Sequence, residues 1–384
     1  MGLGAQMRVR MRSRSAATVL AVVLAAACKD STPPLVATTI AASVTSISLD
    51  AIGASQVVTI TVHDQNGAVM TGVTATWTSS APAIATVTGG ATATVVATGN
   101  GAGSVLALAG KAQVLIPVSV AQLPVAPQKI AGDAQTATVG AALSAQLRVR
   151  VQDRLGNAIA GTPVAFAVAA GSGTVLPASV TSTADGMALA TWTLATVPGA
   201  QTLTATAQGA PATATFTATA TVGAPSIVAV SAGNSQTAIA GAAIVTPPAV
   251  RVADAFNNPV PGASVVFAVG AGGGTVTGGA ATTNASGIAT VGSWTLGTTA
   301  GAKAMTATVA GLTPVSFTAT AVAGPAAAMA VSAGNSQTAI AGTAIVTPPA
   351  VRVADAFDNP VPGASVVFAV GAGGGTVTGG AATT

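Results

Sequence analysis

Residues 249–269 read AVRVADAFNNPVPGASVVFAV. Val250 and Val252 alternate with Arg251 and Ala253, and Val265, Phe267 and Val269 alternate with Ser264, Val266 and Ala268. Apolar residues at every second position mark half-buried strands, and the Asn, Pro and Gly between the two runs mark the connection. Val250 and Val252 are expected on one face and Arg251 and Ala253 on the other, because successive side chains of a strand point to opposite sides. Downstream, SGIATVGSWTL, AMTATVA and PVSFTATAV continue the alternation, and Trp294, Val315 and Phe317 supply the bulk of an inward stripe.

The same stretch recurs. From Ala229 to Thr283 the sequence repeats at an offset of 101 residues with two differences, Ala242 against Thr343 and Asn257 against Asp358. A diverged copy lies upstream: Gln135 matches Gln236, Asp153 matches Asp254, Phe166 matches Phe267 and Phe216 matches Phe317, while Trp192 meets Trp294 after a slip of one residue. A period this long marks tandem structural units. Short alternating strands at this density, with turn residues between them, predict an all-β chain of tandem immunoglobulin-like antiparallel β-sandwiches. The third copy ends at the point where the second continues into its Trp294, Met305 and Phe317 strands, so residues beyond Pro325 are expected to fold poorly alone, and the chain reads as the front portion of a longer surface protein.

Half of the 384 residues are hydrophobic and 6% are charged, which excludes a solvated disordered polymer. Every acidic residue is Asp and Tyr is absent, leaving little for acid–base chemistry. The pI near 10 is concentrated at one end: Arg8, Arg10, Arg12 and Arg14 precede an apolar run from Ala16 to Ala27. From Cys28 onward nine Lys and Arg face nine Asp, so no basic patch is left to bind nucleic acid. The apolar run is too short to span a bilayer as a helix, and with the arginines before it reads as a helical signal peptide over residues 1–27. Its end, LAAAC, resembles the lipobox of bacterial lipoproteins, which implies lipidation of Cys28 and an anchored chain; an ordinary cleaved leader with an incidental Cys, and secretion, is the alternative. Residues 28–35 would then be a tether. With one Cys, no intrachain disulfide can form, so the units rest on packing and hydrogen bonds.

The ordered series NSQTAIAG, VRVADAFNNPVPGASVVFAV, AGGG, TTNASGIATVGSWTLG and SFTATA resembles the group 1 bacterial immunoglobulin-like domain, the module of invasin- and intimin-type adhesins. It assigns domains to residues 127–222, 225–323 and, incompletely, 325–384. Residues 36–121 differ. Trp77 followed by Ser79, Ser80, Pro82 and Val87, and Gly99, Gly101 and Gly103 near the end, resemble the group 2 domain. The resemblance implies a non-enzymatic, exported cell-surface stalk or adhesion protein with an unidentified protein or glycan ligand. Invasin and intimin carry a β-barrel ahead of their repeats where this chain has a leader. A ligand-gripping module in its own right, or the accessory region of an enzyme whose catalytic domain lies beyond residue 384, are the other readings.

Candidate sites are few. Asp64, Asp153, Asp254 and Asp355 each close a strand before a turn, in HDQNG, QDRLGN, ADAFNN and ADAFDN. An Asx-type bond fixing the turn explains them better than calcium, which wants six to eight oxygens including several carboxylates; Asp358 beside Asp355 adds one only in the last copy. His63 is the sole histidine and has no nucleophile and acid in a recognisable pattern. No metal, catalytic or cofactor motif appears, and the stretches AGGGTVTGG and AGSGTV lack the Lys and helix of a phosphate loop, leaving them as turns. Pro247-Pro248 and Pro348-Pro349 are expected to protect an edge or shape a strand entry. Trp192 and Trp294 are expected in the core, since a sugar-stacking role would need exposure.

Overall fold

The computed structural model describes residues 33–384; the proposed leader and Cys28 lie outside the described residues. Two compact units are present: the described residues up to Ile47 with Ser55–Val96 and Ala102–Ser119, and Ser48–Ala54 with Ala97–Gly101 and Val120–Thr384. All regular elements among the described residues are β-strands, as the alternation and the abundance of Val, Thr and Ala require.

In the first unit, Ala37–Ala42, Ser55–Asp64, Thr92–Ala97 and Ala85–Gly89 form one sheet in that spatial order. Ala112–Val120, Gly101–Ala109 and Thr76–Ser79 lie side by side in a second. Val62, Ala75, Ala107 and Ala109 are buried between them, with Trp77 packed against this core and its indole N–H donating to Gly90 O at 2.7 Å.

The second unit contains two full sandwiches. In the first, Gln135–Thr138, Ala214–Thr221, Gly199–Ala207, Pro163–Val168 and Ser179–Thr181 make a five-stranded sheet facing a four-stranded sheet of Thr174–Leu176, Met187–Thr193, Leu147–Arg150 and Gln128–Ala131. In the second, Gln236–Ile239, Val315–Val322, Gly301–Thr308, Ser264–Val269 and Ala280–Thr282 repeat the larger sheet. Opposite them stand Ile227–Ala232, Ala249–Ala253 and Ile288–Thr290, with Thr275–Thr277 paired to Ser293–Thr295 beyond. The predicted stripes fall inward: Val250, Val252, Val265 and Trp294 are completely buried, as are Met305 and Phe317, and the rings of Phe267 and Phe317 lie 6.3 Å apart.

Three features depart from the expected pattern. Ala253 is buried although it alternates with the inward valines; Ser226 N donates to its carbonyl and Pro259 bridges to it. Each full sandwich also holds one parallel pair within an otherwise antiparallel sheet, Gln135–Thr138 with Ala218–Thr221 and Gln236–Ile239 with Ala319–Val322. The chain there leaves one sheet and joins the other. Gly132, at φ 89°, turns the backbone so close to Gln146 that a Cβ would sit 2.6 Å from its carbonyl oxygen. The Gln135 amide then bridges the step, donating to Gly132 O and Ala145 O and accepting from Ala145 N; Gln236 and Gln337 repeat the arrangement. Thirdly, the continuous strand Met187–Thr193 becomes two, Ile288–Thr290 and Ser293–Thr295, in the next copy. The extra residue that shifts Trp294 against Trp192 is absorbed at Val291-Gly292, a bulge that restores the indole to the inward face.

The glycine runs serve these indoles. Trp192 Nε1 donates to Ser172 O at 2.7 Å and Trp294 Nε1 to Gly273 O at 2.9 Å, so the AGSG and AGGG turns fold over the buried rings. A Cβ on Gly173 or Gly274 would lie 2.1 Å or 1.9 Å from the carbonyl of Thr193 or Thr295. Pro247-Pro248 leads into Ala249–Ala253, which is central in its sheet, so the pair shapes an entry and protects no edge. In residues 325–384 the ladders are two-stranded: Ala328–Ala333 with Ala350–Ala354, and Ser365–Val367 with Ala381–Thr383.

Candidate functional site

The four strand-closing aspartates are nearly or fully buried, and the structure assigns each a turn. Asp64 Oδ1 accepts from the N–H groups of Asn66 and Ala68, at 2.8 and 2.9 Å. Asp153, Asp254 and Asp355 do the same with Leu155 and Asn157, Phe256 and Asn258, and Phe357 and Asn359, all at 2.9–3.0 Å. This is the Asx geometry expected from the sequence, in which a carboxylate replaces the missing partners of a tight turn.

In the last three loops the second carboxylate oxygen reaches further. Asp254 Oδ2 accepts from Gly223 N at 3.0 Å and Asp355 Oδ2 from Gly324 N at 2.9 Å, each in the connection from the preceding sandwich. Asp153 Oδ2 accepts from Ile52 N at 3.0 Å and from Gln122 Nε2 at 2.9 Å. The Asn four residues on completes the bridge: Asn157 Nδ2 donates to Ile52 O at 2.8 Å, Asn258 Nδ2 to Thr196 O at 2.7 Å, and Asn359 Nδ2 to Thr298 O at 2.9 Å. Ala300 N donates back to Asn359 Oδ1 at 2.7 Å. One carboxylate and one amide thus fold their own loop and fasten it to backbone between 31 and 105 residues upstream.

Between Asp and Asn stands an apolar side chain, Leu155, Phe256 or Phe357, that rests on a glycine of the preceding segment. A Cβ on Gly140 would lie 2.7 Å from Phe256 Cζ, and one on Gly241 would lie 2.9 Å from Phe357 Cε2; the Leu155–Gly53 contact is looser, at 3.8 Å. These glycines have φ of 72°, 80° and 80°, so the backbone conformation and the missing side chain are both used. Arg154 adds an exposed ion pair to Asp50 at 2.9 Å.

The chemistry of these carboxylates is that of anchors. Burial opposes their ionisation, but Gln122 and Asn157 at Asp153, and Asn258 and Gly223 at Asp254, more than offset it and hold both carboxyls below the ordinary value. At Asp355 burial is likewise outweighed, by Asn359, Gly324 and Phe357, and the pKa falls to about 2. Their oxygens face N–H donors, whose partial positive charge is the reverse of what a cation requires. Asp358 pairs with Arg352 instead, and His63 sits half-buried on its strand with its carbonyl accepting from Thr38 Oγ1 at 3.3 Å. Both Trp192 and Trp294 have no exposed surface for a sugar. The asparagines and the apolar residue between were missed by sequence reasoning. The available signal was the spacing Asp-x-(Leu/Phe)-x-Asn, common to three units and broken in the first, where Ala68 stands in the Asn position.

The fold is that of tandem immunoglobulin-like β-sandwiches. No protein-family model matches the sequence, and no curated protein matches it. Solved structures similar to this chain include FdeC, an Escherichia coli adhesin, at 21% identity over 75% of this chain and 98% of that one with a TM-score of 0.37. InvD of Yersinia pseudotuberculosis is 18% identical over 62% and 73%, with a TM-score of 0.38, and domains 1–6 of the surface layer protein SbsC are 18% identical over 85% and 44%, with a TM-score of 0.29.

Gly140→Ala is expected to destabilise the chain by about 1–3 kcal/mol, through both the left-handed φ and the clash with Phe256. Combining it with Phe256→Ala should recover the clash component alone, which a double-mutant cycle in urea measures; strict additivity would show that the ring and the glycine do not meet. The pH dependence has a definite sign. A carboxylate whose folded pKa is depressed contributes stability above its unfolded value, near 4, and loses it as pH falls through the folded value. For Asp355 the loss should therefore fall between about pH 4 and the folded value of about 2. Amide exchange at Phe357 and Asn359 should accelerate over that interval relative to the same sites in an Asp355→Asn chain.

Proposed function

We propose that this chain is a non-enzymatic, exported cell-surface stalk of the adhesion type, in which the successive sandwiches of the second unit are fixed to one another by the Asp-x-(Leu/Phe)-x-Asn loops. The observation that carries the reading is the threefold recurrence of the clamp, in which a buried Asp and a buried or half-buried Asn spend their hydrogen bonds on the preceding segment. A flexible string of domains needs no such bonds, because interdomain motion is the default for small polar interfaces. A device that spaces a binding region from a surface does. The resemblance of the repeats to group 1 domains supports the same role, and the scarcity of titratable side chains offers little to an enzyme.

In this reading Cys28 carries the lipid that attaches the chain to the membrane, nucleic acid is not a partner, and the ligand is an extracellular protein or glycan. Two acyl chains or more would hold the anchor durably, at about 0.8 kcal/mol per buried CH2.

The stalk is tested by fluorophores at positions 130 and 320 in the full chain. Asn258→Ala should broaden the distance distribution between them, with a loss of stability of about 1 kcal/mol for the severed bond. An unchanged distribution would mean that the clamp does not set the junction. The anchor has its own test: mass spectrometry of the exported protein should find a diacylglyceryl thioether on an N-terminal Cys28, and an unmodified thiol there would refute it.

A further inference from the structure

Two features of each full sandwich have no part in the junction loops. One is the parallel pair: Gln135–Thr138 runs alongside Ala218–Thr221, and Gln236–Ile239 alongside Ala319–Val322. The other is a residue other than glycine held in the left-handed region immediately before that pair, Ala134 at φ 54° and Ser235 at φ 54°. Such a backbone persists only where its surroundings over-determine it. Here they do. Ala134 N donates to Thr217 O at 2.9 Å, and Thr217 N donates back to Asp133 Oδ1 at 2.9 Å. In the next sandwich Ser235 N donates to Thr318 O at 2.8 Å, and Thr318 N to Asn234 Oδ1 at 2.9 Å. The far end of each ladder closes with Val139 N on Thr221 O at 2.9 Å and Ala240 N on Val322 O at 2.8 Å. The Gln135 and Gln236 amides, fixed to Gly132 O and Gly233 O, hold the turn that makes the pairing possible.

The direction of these ladders decides how they carry a load. The chain enters Gln236–Ile239 at its start and leaves Ala319–Val322 at its end, so tension along the chain draws the two strands past each other in opposite directions. Every bond of the ladder is then strained at once. In an antiparallel hairpin such as Gly301–Thr308 with Val315–Val322, pulling on the open end strains one bond at a time. We infer that the sequences Gly-(Asp/Asn)-(Ala/Ser)-Gln at residues 132–135 and 233–236 are mechanical latches, which lock an early strand of each sandwich to its last strand in shear and let the sandwich hold tension without unfolding. The edge strand Ile227–Ala232 precedes the latch and pairs with Ala249–Ala253 through an irregular register, so it is loaded first, and its release leaves the latch closed. At the exit, Gly223 follows closely on Thr221 and is held by Asp254 Oδ2, so load passes from one ladder into the next sandwich through a buried clamp. The inference rests on the stalk reading, because only a tether is pulled along its length.

The test holds the full chain at constant force and reads the lifetime of the sandwich of residues 225–323 in two directions. Handles at positions 225 and 323 load the latch in shear, and handles at positions 300 and 323 unzip the antiparallel pair. At equal force the lifetime should be longer in the first direction by about tenfold or more, since several bonds must break together. Asn234→Ala removes one of them and should shorten the first lifetime about fivefold while leaving the second unchanged. Val291→Ala, which thins the buried core beside the opposite sheet, should lower Tm further than Asn234→Ala does and shorten both lifetimes by the same factor. Equal lifetimes in the two directions would overturn the inference. So would an Asn234→Ala chain whose two lifetimes shorten alike. A failed latch leaves the distance distribution between positions 130 and 320 as it was, so the latch and the stalk reading fall separately.

Discussion

A buried carboxylate that must be ionised and cannot be hydrated governs this structure. Asp254 is 1% exposed, and an isolated charge there would be prohibitively costly. The N–H groups of Phe256 and Asn258 on one oxygen, and of Gly223 together with the Asn258 amide on the other, make it tolerable. Three of those donors belong to the turn and one to the connection from the sandwich before. Folding the loop and fixing the junction are therefore a single electrostatic event, and neither set of bonds can be given up without exposing or stranding the charge. Asp64 shows the lesser arrangement, with the turn bonds present and the Asn position occupied by Ala68.

The rest of the packing is economical in the same way. With no disulfide possible within the chain and three Trp and seven Phe in all, each sandwich of the second unit is filled by one indole, a few rings and many Ala, Val and Leu side chains. A large side chain in so sparse a core must be held in one place. Glycine turns accomplish this by bringing a backbone carbonyl onto the indole N–H, so the ring has a polar anchor as well as an apolar pocket.

The strands and their inward faces were legible in the sequence because alternation is local: Val250, Val252, Val265 and Phe267 declare their side by their neighbours alone. The turn role of the four aspartates was legible for the same reason, since the bonds span two and four residues. What escaped was whatever depends on distant backbone. Gln135 looked like a repeated polar residue, and its bridging of a strand that changes sheets is invisible without knowing that Ala145 returns beside it. Asn258 likewise donates to a carbonyl 62 residues upstream. The burial of Ala253 escaped because alternation says which way a side chain points and not what covers it.

The two positions that distinguish the near-identical copies lie beside these junctions. Asn257 and Asp358 occupy the same left-handed conformation, at φ 64° and 67°, within the loops that carry Phe256 and Phe357. Asn and Asp are the side chains that tolerate this region best, so the substitution leaves the backbone alone. It changes a hydrogen bond from Arg251 into an exposed ion pair with Arg352, worth about 0–1 kcal/mol. Ala242 follows Gly241, the glycine on which Phe357 rests, and its counterpart Thr343 follows Gly342, where a Cβ would meet nothing within 4 Å. Every core position within the repeated stretch is unchanged, since an altered side chain there would have to be repacked against strands of both sheets. Variation is least costly at the loop faces, and those faces are where one unit meets the next.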